Sequence, residues 1–144
     1  MPEEFNSKLN SGFTINPIGI IRSELTNRRG APRQGYEGAP DAWLEVNAAF
    51  TEGLEGIVAG NEIIVITWFH EAHRNILKLH PRSDINIPLT GVFSTRSPDR
   101  PNPLGLHRVK VMEINGCKLK VGPIEAIDGT PVVDIKPVLK LSDV

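Results

Sequence analysis

Residues 104–121 constrain the fold more than any other stretch of the chain. Along Leu104–Ile114 apolar and polar side chains alternate, with Val109 and Val111 on one face and Arg108 and Lys110 on the other. A period of two marks a half-buried β-strand. Asn115-Gly116 follows, the strongest short hairpin signal. Cys117–Val121 then alternates back, with Leu119 inward and Lys118 and Lys120 outward. An antiparallel hairpin is expected here, one face in a core and the other in water.

The remaining segments agree with a β protein. Glu62–His70 is a nearly continuous apolar run and reads as a buried central strand. Phe13–Ser23, broken by Pro17 and Gly19, reads as a strand, as do Leu89–Ser94 and Pro131–Lys136 after the Asp128-Gly129 turn. Ala42–Phe50 reads as a strand or a short helix, Thr51–Gly60 as a turn with room for one helical turn, and Glu24–Asp41 and Glu71–Pro88 as loops. No window of about 12 residues carries the 3.6-residue period of an amphipathic helix. Twelve prolines and thirteen glycines are scattered, so they punctuate short elements. The expected fold is all-β, a small single-sheet β-barrel of about seven or eight short strands with one or two short helices. At 144 residues a single domain over 1–144 is expected, its core at about 13–137, with no C-terminal extension domain.

Composition excludes several classes of function. Cys117 is the sole cysteine, so no intrachain disulfide and no Cys-based zinc site is possible. No apolar run reaches the roughly 18–20 residues of a membrane-spanning helix. The N-terminus lacks the basic start and apolar core of a signal peptide, so a cytoplasmic location without a membrane partner is the expectation. The net charge of −1 hides an asymmetry. Residues 1–62 carry 5 Lys/Arg against 9 Asp/Glu, whereas residues 63–110 carry 7 against 3 and hold all four histidines. A basic middle on a near-neutral chain permits nucleic-acid binding without requiring it.

Chemistry-bearing motifs concentrate in that basic middle. Between Leu89 and Gly105, Arg96, Arg100 and Asn102 stand among Pro98, Pro101 and Pro103. Proline fixes φ and pushes its predecessor towards extended geometry, so a stiff loop presenting planar multi-donor groups is expected. Asn102 beside a proline-fixed carbonyl has the chemistry to accept both hydrogens of an exocyclic adenine amine. The same stretch also reads as a rigid loop and nothing more. His70 and Glu71 either face a pocket mouth or simply end the central strand. His70-Glu71-Ala72-His73 lacks the spacing of a helical zinc pair, and no metal is expected. Pro32-Arg33-Gln34 is weak by itself, and Asp128-Gly129-Thr130-Pro131 reads first as a tight turn.

In order along the chain stand Ile18–Ser23, Ala31-Pro32-Arg33-Gln34, Phe69-His70, Gly91–Ser97, Arg100–Leu106 and Asp128–Pro137. Together these segments resemble the tRNA-methyltransferase O family, the TsaA-like (YaeB-like) domain, over roughly residues 13–137. The resemblance implies a β-barrel unlike Rossmann-type methyltransferases, S-adenosylmethionine as cofactor, and a homodimer. It implies an enzyme that N6-methylates threonylcarbamoyladenosine at position 37 of threonine tRNA, in the anticodon loop. Carried over by matching motif, the cofactor-binding residues would be Pro32, Arg33, Gln34, His70, Glu71, Arg96, Leu106, Glu125, Ala126, Ile127 and Asp128. Glu71 departs from the Gln of the family pattern, and Val138 from the usual Tyr after Lys136-Pro137. The catalytic candidates are Asn102, Arg96 and Arg100. Asn102 would accept from the adenine amine, Arg96 would serve the cofactor side, and Arg100 or Arg108 the RNA side. Two alternatives stay open: a binding module that senses S-adenosylmethionine without methyl transfer, and a methyltransferase with another RNA or small-molecule acceptor.

Overall fold

The computed structural model describes residues 12–143. Eight strands are present among them: β1 Gly19–Arg22, β2 Ala42–Val46, β3 Glu62–Trp68, β4 Lys78–Leu79, β5 Thr90–Gly91, β6 Leu104–Asn115, β7 Lys118–Gly122 and β8 Pro131–Pro137. Six of them close into a barrel in the order β1-β2-β7-β6-β3-β8, with β8 pairing back onto β1. Every pairing is antiparallel. Closure leaves no unpaired sheet edge, which is how a small all-β protein removes its most aggregation-prone surface. The expected all-β barrel is the fold. β4 and β5 form a separate two-stranded sheet within the long excursion between β3 and β6.

The alternation in residues 104–121 produces the barrel wall as anticipated. Val109, Val111, Leu119 and Val121 point inward and are buried, while Arg108, Lys110 and Lys118 are exposed. The hairpin turns one residue later than the Asn-Gly signal implies. Asn115 pairs with Lys118, so Gly116 and Cys117 are the two loop residues. Gly116 has φ +62° and Cys117 has no positive φ, so the glycine occupies the one loop position that needs the left-handed region.

Other boundaries move for local reasons. Of Phe13–Ser23 only Gly19–Arg22 forms a strand, although the Ile18 amide already bonds to the Val132 carbonyl at 2.8 Å. Pro17 supplies no amide to extend that ladder. Ala42–Phe50 splits into strand Ala42–Val46 and a 3₁₀ turn Ala48–Leu54, capped by Asn47, whose side-chain oxygen accepts from the Ala49 amide. The Glu71–Pro88 loop contains β4 and a 3₁₀ turn Pro81–Ser83, and Leu89–Ser94 shortens to β5 followed by a 3₁₀ turn Val92–Ser94. In place of one or two short helices the described residues hold six 3₁₀ segments and no α-helix. Such segments last a turn or two, too short to leave a periodic sequence pattern.

The core is largely aliphatic and β-branched: Ile21, Leu44, Val46, Ile63, Val65, Val109, Val111, Leu119, Val121, Ile124 and Val132 fill the lumen. Barrels this small have interiors just wide enough for side chains to fill. Towards one end the filling changes character. Thr67, His107 and Thr130 are buried there, beneath the loops that follow β1, β3 and β7. A register shift in the β3–β8 pairing falls between Ile66 and Thr67, at the same end. Bulges at barrel rims re-aim side chains, often beside a functional site.

Candidate functional site

A cavity of about 1330 Å³ opens over the polar end of the barrel. Its floor is the barrel rim: Phe69, Leu104, Gly105, Leu106, Glu125, Ile127 and Thr130. One wall is the loop from Arg28 to Glu37, and the other is the excursion between β3 and β6, including His70, Glu71, Arg82, Arg96 and Arg100. Three stretches distant in sequence therefore converge on one concave surface, the usual form of a small-molecule site.

The two walls meet through ionic contacts. Arg28 donates to Asp99 Oδ2 at 3.1 Å and to the Glu71 carbonyl at 3.3 Å. Arg82 pairs with Glu37 at 2.5 Å, and Arg33 reaches Ser83 Oγ at 3.5 Å. Asp99 also accepts from the His73 amide at 2.9 Å. Burial by itself would raise the Asp99 carboxyl's pKa, but the Arg28 hydrogen bond, the His73 amide and the nearby positive charge outweigh it and hold it low. The Glu37 carboxyl is held below its ordinary range mainly by the hydrogen bond from Arg82, whose own value is raised by the same contact. Arg82 and Ser83 have φ of +56° and +58°. Two consecutive non-glycine residues in the left-handed region are strained, and here they sit where the walls meet.

The stiff loop after β5 is built differently from its expected form. Arg100 turns into its own loop: Nε donates to the Ser97 carbonyl at 2.9 Å, and the guanidinium also binds the Val92 and Thr95 carbonyls. Thr95 Oγ1 accepts from the Ser97 amide, and Ser97 Oγ from the Asp99 amide. Arg100 thus staples the loop through Nε and Nη2 while still lining the cavity wall. Arg96 is exposed on the cavity wall and has no ion pair among the described residues. Asn102 is exposed but lies outside the cavity lining. Its Oδ1 accepts from Arg74 at 3.2 Å, while Arg74 Nε donates to the Pro101 carbonyl at 2.7 Å and the guanidinium stacks 4.9 Å over the Trp68 ring. Asn102 Oδ1 and the neighbouring Pro101 carbonyl thus each accept one hydrogen bond from Arg74.

Of the cofactor candidates, Pro32, Arg33, Gln34, His70, Glu71, Arg96, Leu106, Glu125 and Ile127 line the cavity. Ala126 points into the barrel core and is buried. Asp128 lies outside the lining and orders the first loop, its Oδ1 accepting from the Ser23 amide at 3.1 Å and its amide donating to the Leu25 carbonyl. Gly35 brings two candidate segments together. A Cβ there would lie 2.7 Å from the Pro123 carbonyl oxygen and 3.2 Å from Glu125 Oε2, so only glycine lets residues 32–34 lie against residues 123–125. Arg108, the other candidate for the RNA side, is exposed on the outer barrel wall and paired with Glu62 at 2.7 Å.

Sequence reasoning missed His107. Its Nδ1 lies 2.6 Å from Glu125 Oε1 and its Nε2 2.6 Å from Thr67 Oγ1, while Phe69 packs edge-on against the ring at 5.7 Å. The signal was present: His107 shares the inward parity of Val109 and Val111.

Comparison with known proteins points the same way. A model of the tRNA-methyltransferase O N-terminal domain matches residues 20–144. A probable S-adenosyl-L-methionine-binding protein of Methanocaldococcus jannaschii is 50% identical over 128 residues, covering 86% of this chain and 90% of that protein. A probable S-adenosyl-L-methionine-binding protein of Methanothermobacter thermautotrophicus is 39% identical over 123 residues, covering 85% and 88%. Among solved structures, a crystal structure of TrmO superposes with a TM-score of 0.73 at 32% identity, covering 92% of this chain and 60% of that one. The TrmO of Pseudomonas aeruginosa gives 0.71 at 32%, covering 92% and 57%. The chain thus spans somewhat over half the length of those crystallised proteins. With the family domain matched over nearly the whole barrel, and the cavity formed where that family's motifs converge, the chain belongs to the tRNA-methyltransferase O family.

Proposed function

We propose that this protein binds S-adenosylmethionine in the cavity over the barrel end and transfers its methyl group to N6 of threonylcarbamoyladenosine in the anticodon loop of threonine tRNA. The observation that carries the cofactor half is the charge arrangement of the cavity. Four carboxylates line it, and two are matched to arginines: Glu37 to Arg82 and Asp99 to Arg28. Glu71 and Glu125 have no Lys or Arg partner among the described residues, and neither has Arg96. S-adenosylmethionine carries a sulfonium, an ammonium and a carboxylate, so two acceptors of positive charge and an arginine fit its polar end. Phe69, Leu106 and Ile127 supply apolar surface for the nucleoside. Glu71, where the family pattern has Gln, adds a charge that suits a cation.

When bound, S-adenosylmethionine supplies a methyl group on a positively charged sulfur that leaves as a neutral thioether. The residues' contribution is placement, since an in-line transfer depends on alignment of nucleophile and methyl. Arg96 is an exposed lining residue and can take the carboxylate of either the cofactor or the threonylcarbamoyl group. Asn102, held by Arg74, keeps its amide nitrogen and the second lone pair of Oδ1 for a ligand beside the cavity. Arg100 supports the wall. Homodimer formation and a cytoplasmic location accompany this reading as expectations from the family.

The test is mass analysis of nucleosides from threonine tRNA after incubation with protein and S-adenosylmethionine. A gain of one methyl on threonylcarbamoyladenosine is expected. A second reading, a module that binds the cofactor without transferring methyl, is favoured by the relatives' description as binding proteins. Tight binding with no methyl gained by any tRNA would establish it.

A further inference from the structure

His107 is a buried titratable group that the proposed reaction does not use. It is 2% exposed, on the inward face of β6 among valines. Both of its ring nitrogens are engaged within the barrel. A carboxylate only accepts, so Nδ1 carries the hydrogen on the Glu125 side. Nε2 is then available to accept from the Thr67 hydroxyl. Thr67 is itself fully buried, and Phe69 closes the ring's edge. Nothing in this chain of three reaches solvent except through Glu125, whose side chain is 12% exposed and borders both the main cavity and a neighbouring groove of about 460 Å³.

The structure assigns His107 as a positioning residue that, with Thr67 behind it, holds the Glu125 carboxylate as a fixed negative wall for the cationic part of the ligand. The arrangement follows a general pattern in which a hydrogen-bonded partner fixes the tautomer of a histidine and thereby orients a site. Glu125 Oε1 is taken by the imidazole, and Oε2 lies against Gly35, beside Gln34 of the opposite wall. A carboxylate on a flexible side chain would lose rotamer freedom on binding a cation. One already clamped by a buried ring loses little. The valines at the neighbouring inward positions show that packing alone does not call for an imidazole here. This inference rests on the cofactor reading above for the identity of the ligand, but not for the geometry.

The test measures S-adenosylmethionine binding by calorimetry for the wild type, His107→Asn, His107→Gln, His107→Leu, Glu125→Gln and the Glu125→Gln/His107→Leu double variant. Asparagine can place an N–H near the Nδ1 position, whereas glutamine can reach only the Nε2 position. His107→Gln and His107→Leu should weaken binding by about tenfold or more, while His107→Asn stays within about threefold of wild type. The double variant should bind no more weakly than Glu125→Gln alone. If His107→Asn is as weak as His107→Leu, or if the two losses multiply, His107 is a packing residue and the inference is overturned. A folded wild type that binds no S-adenosylmethionine would sink the cofactor reading instead. The positioning role is then decided by ¹⁵N NMR of the imidazole. An Nδ1–H tautomer that changes in Glu125→Leu, which removes the acceptor, supports it, and a tautomer indifferent to that change refutes it.

Discussion

Gly105 offers the sharpest test of how the site is packed. It lies on β6 opposite Thr67, and its inward face has no side chain. A Cβ built there would sit 2.5–2.6 Å from the Phe69 ring and 2.6 Å from Thr67 Oγ1. Gly105→Ala must therefore push both, and through them His107, which touches Phe69 and Thr67. Two effects oppose one another. Gly105 does not use a positive φ, so alanine restricts the unfolded chain and stabilises by about 0.4–1 kcal/mol. Overpacking costs about 1–3 kcal/mol. At the middle of both ranges the clash wins, leaving a net loss of about 1.3 kcal/mol. For a chain of this size that corresponds to a fall in Tm of about 4 °C. The assay is thermal unfolding followed by circular dichroism. It is repeated in a Phe69→Leu background, where the smaller side chain leaves room and Gly105→Ala should cost less. A Tm at or above wild type in the first background, or an equal loss in both, would refute the reasoning that these rings are packed against the glycine.

Other outcomes follow from single contacts. Gly19→Ala should be harsher, because its Cβ would overlap the Glu45 backbone carbonyl on the paired strand, which cannot rotate away; a loss of about 3 kcal/mol or more is expected in urea unfolding. Arg100→Ala should destabilise by about 1.5–3 kcal/mol and speed amide exchange at Thr95 and Ser97, and lysine should not restore either, since a single ammonium cannot span three carbonyls. The Arg28–Asp99 pair is partly exposed and screened, so Asp99→Asn should cost at most about 1 kcal/mol at neutral pH. Asp99's folded pKa lies below its ordinary 3.8, so that contribution is present above pH 3.8 and disappears as pH falls through the folded value; the wild-type and Asp99→Asn curves should converge there. A gap that stays constant with pH would mean the pair is not the source.

Much of the architecture was readable because a barrel wall imposes a period of two on any strand with one face in the lumen. Val109, Val111 and Leu119 announce that face without help from the rest of the chain. The 3₁₀ turns were not readable, since each involves three to seven residues and is set by a cap or a neighbour: Asn47 at one, the Arg82–Glu37 contact beside another. At the site, composition and motif order located the walls, and nine of the eleven cofactor candidates line one cavity. Ala126 and Asp128 do not, because the short segment after β7 alternates its side chains between core, cavity and first loop.

What the one-dimensional string determined by itself is the type of structure and the family. Strand period, turn residues and motif order are local properties that survive without knowledge of partners. What only the tertiary structure decided is the employment of each polar group. Arg96 and Arg100 are four residues apart in the same loop and both border the cavity, yet Arg96 is without an ion pair among the described residues while Arg100 binds three carbonyls of its own loop. Asn102 and Arg74, 28 residues apart, satisfy each other, while His107 meets Glu125 across 18 residues and Thr67 across 40. A hydrogen bond is specified by distances of about 3 Å between groups. Such distances are set by how closed strands bring remote residues together, and no spacing along the chain encodes them.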